Sequence, residues 1–103
     1  MRILIGGLLP RQQRVIESDT PAGTDLRFVD SNISPLQWAR AAKNCDHTIV
    51  VTKFISHKHT DALRRANIRF IMCPGGTGLL KTMLKEIADG DLGTEARRQI
   101  HRP

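Results

Sequence analysis

Four apolar runs alternate with four amphipathic segments along residues 1–90. "RILIGG" (2–7) reads as a strand closed by a glycine pair, and "LLPRQQRVIES" (8–18) as a helix with Pro10 in its first turn, where the missing N–H costs nothing. "DTPAGT" is a loop, and "DLRFVD" (25–30) is a second strand. In "SPLQWARAAKNC" (34–45), Ser34 is a helix N-cap, Pro35 the first helical residue and Gln37 the far half of a capping box. "HTIVVT" (47–52) is β-branched and apolar on both faces, as a parallel strand buried on both sides requires. "SHKHTDALRRAN" (56–67) is a third helix with Ala62, Leu63 and Ala66 inward, and "IRFIMCP" (68–74) a fourth strand. The strongest helical period lies in "GTGLLKTMLKEIADG" (76–90), where Leu79, Leu80, Met83, Leu84, Ile87 and Ala88 share one face and Gly90 ends it.

Strands and helices alternating through short connections predict a parallel sheet with right-handed crossovers. The expected fold is α/β: a small three-layer, flavodoxin- or Rossmann-like domain over residues 1–90. It has about four strands in the order 2-1-3-4 and helices on both faces. Residues 91–103 form a basic C-terminal tail, read as a short helix or a flexible segment. In such sheets ligands bind beyond the strand carboxyl ends, where the strand order reverses. That rim collects Gly6, Gly7, Arg11, Lys53, Ser56, His57, Gly76 and Gly78.

The chemistry suggested by short motifs fails at specific positions. "HKHTDA" falls one histidine short of a binuclear zinc motif, with Ala62 in its place. On a helix, His57 and His59 point about 200° apart, too far to share one ion. His57 is therefore expected at the ligand rim and His59 in solvent. "CPGGTGLLKT" has Leu80 where a phosphate-binding P-loop needs glycine, and Leu79 where a cysteine phosphatase needs arginine. "GGLLPR" lacks the third glycine of a dinucleotide fingerprint. A phosphorelay acceptor would need acids where Gly6, Gly7 and Lys53 stand. Ser56 beside His57 makes no nucleophile–base pair, since adjacent helical side chains diverge. Cys73-Pro74 matches the core of short haem-responsive motifs, with Cys73 as thiolate ligand and His57 as second ligand. No other cofactor is indicated.

Composition narrows the classes further. The 103 residues are 40% apolar and 25% charged, enough for one core. No run is long enough to span a membrane. Two cysteines without metal spacing read as reduced thiols of a cytoplasmic protein. The net charge of +6 is lopsided, with ten basic against five acidic residues in 53–103. Lys58, Arg64, Arg65, Lys81, Lys85, Arg97, Arg98 and Arg102 would serve a nucleic-acid-associated protein. One Trp, no Tyr and three Phe argue against a stacking platform for single strands.

Residues 2–88 resemble the DUF2325 family, small bacterial α/β domains of unknown activity. The likeness is carried by "ILIGG", by "IVVTKFISHKH" and by "RFIMCPGGTGLLKTML", with Lys53 where the family more often shows Asp. It implies Gly6, Gly7, Ser56, His57 and Gly78 as the positions of interest. The expected function is a non-enzymatic ligand-binding or regulatory module. It is expected to be a homodimer that holds a small anionic ligand at the strand carboxyl ends, with nucleic-acid binding as the alternative.

Overall fold

The computed structural model describes residues 1–20, 23–88 and 100–101. Its elements follow the chain as β1 (Arg2–Gly6), α1 (Pro10–Ser18), β2 (Asp25–Val29), α2 (Pro35–Lys43), β3 (His47–Val51), α3 (His57–Arg65), β4 (Phe70–Cys73), α4 (Thr77–Ala88) and β5 (Ile100–His101). A short 3-10 turn, Thr52–Phe54, joins β3 to α3. The first four strands are parallel, as the alternation of elements implies, and lie in the expected order β2-β1-β3-β4. β5 adds antiparallel to β4, through Phe70–His101 and Ile71–Ile100. Within the C-terminal tail, then, two residues form a strand and not part of a helix. Gly90, Arg97, Arg98 and Arg102 lie outside the described residues.

Strand alternation divides the core in two. Ile3, Ile5, Ile49, Val51, Ile71 and Cys73 face α1 and α4, where they meet Ile16, Leu80, Met83, Leu84 and Ile87. Leu4, Val29, Val50 and Phe70 face α2 and α3, where they meet Trp38, Ala39, Ala42 and Leu63. Each face buries its own cluster, so the sheet is the middle of three layers. Among the described residues no helix is long and apolar enough to cross a membrane.

Local chemistry sets the helix ends. Ser34 caps α2 by accepting from the N–H of Gln37 at 3.3 Å. Leu9 has no side-chain oxygen to cap α1, and Gln12 Oε1 instead reaches back to accept from the Leu9 N–H at 3.0 Å. α3 ends in a Schellman motif: Asn67 N–H donates to Arg64 O and Ile68 N–H to Leu63 O, both at 3.0 Å. Asn67 takes the left-handed conformation this requires, with φ 58°. Ile68 is thereby spent on closing α3, and β4 starts at Phe70.

Candidate functional site

At the carboxyl edge of the sheet the first loop is Gly7–Leu9. Gly7 has φ +96° and donates its N–H to Val29 O at 3.0 Å. A Cβ on Gly7 would stand 2.5 Å from Val51 O and 2.9 Å from Ile55 Cγ2. The exits of β1 and β3 therefore touch where the strand order reverses. Gly6 is closed off in the same way, since a Cβ there would lie 2.5 Å from two carbons of the Trp38 ring. Both glycines serve close approach, but of the chain to itself.

Trp38 organises the α2/α3 side of this edge. It is fully buried, its indole N–H donates to Asp30 O at 2.9 Å, and its ring centroid lies 4.4 Å from that of His59. His59, expected in solvent, is only 7% exposed. Its Nε2 is 2.8 Å from Ile33 O, and its Nδ1 is 3.3 Å from Ser56 Oγ. A carbonyl oxygen only accepts, so Nε2 carries a proton, and in the neutral ring Nδ1 accepts from the Ser56 hydroxyl. The signal for this burial was present in the sequence. His59 stands three, four and seven residues before Ala62, Leu63 and Ala66, on the face assigned to the core.

Because its hydroxyl is turned to His59, Ser56 occupies the N-cap position of α3 without capping it. Ser56 thus does meet an imidazole, three residues on and not adjacent. The far nitrogen of that imidazole faces a carbonyl rather than a carboxylate. The contact anchors the start of α3 to the Trp38 cluster. His57 projects from the first turn and is exposed. Beside it opens a pocket of about 170 Å³, lined by Thr52, Ile55, Ser56, His57, Thr60 and Met72, with Arg64 at its wall. Arg64 bonds Asp61 Oδ1 at 3.3 Å, and its guanidinium carbon sits 5.6 Å from the Phe70 ring centroid.

The remaining rim residues do not enter this pocket. Lys53 lies on the turn leaving β3 and is exposed. Arg11, Gly76 and Gly78 belong to α1 and the start of α4, on the other side of the sheet. A Cβ on Gly76 or Gly78 would meet nothing within 4 Å, so neither glycine is demanded by crowding. Cys73 is 0% exposed and packs towards α4, whereas His57 stands on α3 beyond the opposite face. Burial pushes the Cys73 thiol up, against a weaker opposing pull from the backbone at Gly75. An enclosed thiol and a histidine across the sheet cannot share one iron, so Cys73 and His57 do not form a pair of axial ligands. Among the described residues, no three His, Cys, Asp or Glu side chains gather as a metal site.

The basic residues divide as well. Lys81 and Lys85 lie on α4, with Lys81 Nζ 3.6 Å from Asp19, and Lys58, Arg64 and Arg65 lie on α3 across the sheet. These five are thus divided between the two faces of the sheet. Lys58 and Arg65 are instead joined by Arg40 and Lys43 of α2, along a groove of about 710 Å³ between the two helices. That grouping needed the placement of α2 against α3, which no spacing along the chain supplies. Comparison with protein-family models, with curated proteins and with solved structures finds no significant match to this chain.

Proposed function

We propose that the protein is a non-enzymatic binding module that takes a small oxyanion, a phosphate or carboxylate group, in the pocket at the start of α3. The observation that carries this reading is the uncapped N-terminus of α3, opening beside Ser56, His57 and Arg64. The first-turn N–H groups point along the helix axis, and the helix dipole adds partial positive charge there. The His57 ring can supply a further donor, and Arg64 brings a guanidinium to the pocket wall beside its bond to Asp61. A volume of about 170 Å³ corresponds to five or six waters at ~30 Å³ each, room for one oxyanion and little more. The resemblance of the "ISHKH" region to DUF2325 domains draws attention to the same two residues, Ser56 and His57. β2 ends the sheet with an outer edge that no described strand pairs, and edge-to-edge pairing there is the homodimer this reading expects.

Titration of the protein with inorganic phosphate, followed by amide NMR, tests the site. The expected result is saturable shifts at Ser56, His57 and Lys58. Replacing Arg64 by Met, which keeps an apolar stem over Phe70, should weaken binding about tenfold or more, the loss of one charge-assisted contact. Shifts confined to the exposed lysines and arginines elsewhere would reject the pocket. Native mass spectrometry of the same sample decides the dimer.

A further inference from the structure

The groove between α2 and α3 has a composition that the oxyanion pocket does not explain. Its floor is made of Ala39, Ala62 and Ala66, with Leu36 at one end. Leu36 is 60% exposed, further out than the other exposed large apolar side chains among the described residues, Met1 at 48% and Val15 at 44%. Along the rim stand Arg40 and Lys43 on one side, Lys58 and Arg65 on the other. The single acid there, Asp61, is held by Arg64 at 3.3 Å. Four cations thus surround an apolar trough, with the local carboxylate already engaged.

We infer that this groove docks an acidic amphipathic helix of a partner protein. Alanines at the floor let a third backbone come close, as helix packing through small residues requires. Each wall is nine residues long, about 14 Å at ~1.5 Å per residue. The occupant therefore presents two turns, with apolar side chains at i, i+3 or i+4, and i+7 on the trough and carboxylates towards the rim. Charge selects the sign of the partner, and the floor selects its class. Phosphates alone would satisfy Arg40, Lys43, Lys58 and Arg65 but would leave Leu36 and the alanines without a partner. A second copy of the described helices does not fit, because α1 to α4 carry only Glu17, Asp61 and Glu86 as acids.

The test uses the full chain and a fluorescent synthetic helix with leucines at i, i+4 and i+7 and glutamates elsewhere on the facing side. A scrambled peptide of identical composition and a labelled DNA duplex serve as comparisons. The intact peptide should bind, the scrambled one at least about tenfold more weakly, and Leu36→Ser should cost about tenfold. Arg40→Glu with Arg65→Glu should abolish the interaction. Each substituted position except Leu36 is a surface charge and Leu36 itself is exposed, so thermal unfolding should show all variants folded. Equal binding of both peptides, tighter binding of DNA with a steep salt dependence, or no binding of the intact peptide each overturns the inference. His57 lines the oxyanion pocket and not the groove, so His57→Ala should weaken phosphate binding yet bind the peptide normally, which separates the two sites.

Discussion

Gly6 shows how a residue can be indispensable without touching a ligand. It sits between Val29 and Val50 in the sheet, and the Trp38 ring occupies the space a Cβ would take. Adding that methyl must move either the ring or the strand. Trp38 is held by its bond to Asp30 O and its contact with His59, so it has no free direction in which to retreat. Gly6→Ala should therefore destabilise the fold by about 1–3 kcal/mol, the usual cost of overpacking. Urea denaturation measures this directly, and a midpoint equal to that of the parent would show the ring to be mobile. Asn67 makes a smaller case at the end of α3. Its φ of 58° suits Asn and Gly but costs other residues about 1–2 kcal/mol. Asn67→Gly should be neutral or slightly stabilising and Asn67→Val should lower stability by that amount, again read from denaturant midpoints.

At the scale of elements, the sequence was legible wherever the information was local. The parallel sheet followed from β-α alternation, and the cap of α2 from Ser34 and Pro35. The inward face of α4 followed from the spacing of Leu80, Met83, Leu84 and Ile87. Reading failed where a neighbour came from far along the chain. Gly6 meets Trp38, which lies 32 positions away, and that distance hid the purpose of the glycine pair. His59 was misplaced for a different reason. Its divergence from His57 was recognised, but the choice of which one faces inward was made by motif rather than by the face shared with Leu63. α3 consequently has a brace, Ser56–His59–Ile33, in place of a cap. Removing it tests that account: His59→Ala should loosen the start of α3 and raise amide exchange at Asp61 and Ala62, in its first intrahelical bonds, more than in β1 or β3.

For the whole molecule, the two cysteines report on the two depths of the fold. Cys73 is enclosed between the sheet and α4, whereas Cys45, just past the end of α2, is half-buried near Arg2 and Arg27. Burial pushes both thiols up, and for Cys45 the two arginines pull weakly the other way. Since the thiolate is the nucleophile, Cys45 should react with a disulfide reagent more slowly than a free thiol at the same pH. Cys73 should react only as fast as the sheet opens. The linkage has a definite sign. A native thiol that holds its proton more tightly than the unfolded chain gives stability that is complete below the ordinary value of 9.0. That stability is lost as the pH rises further, because the unfolded state ionises first. The urea midpoint should therefore fall on going from neutral pH to above 9, and the Cys73 labelling rate should rise with it. Cys73→Ala should flatten the part of that fall due to this thiol, at the cost of a small cavity against α4. A parent and variant with identical alkaline slopes would show that the core thiol contributes nothing to it, and that other groups titrating in the same range drive the loss.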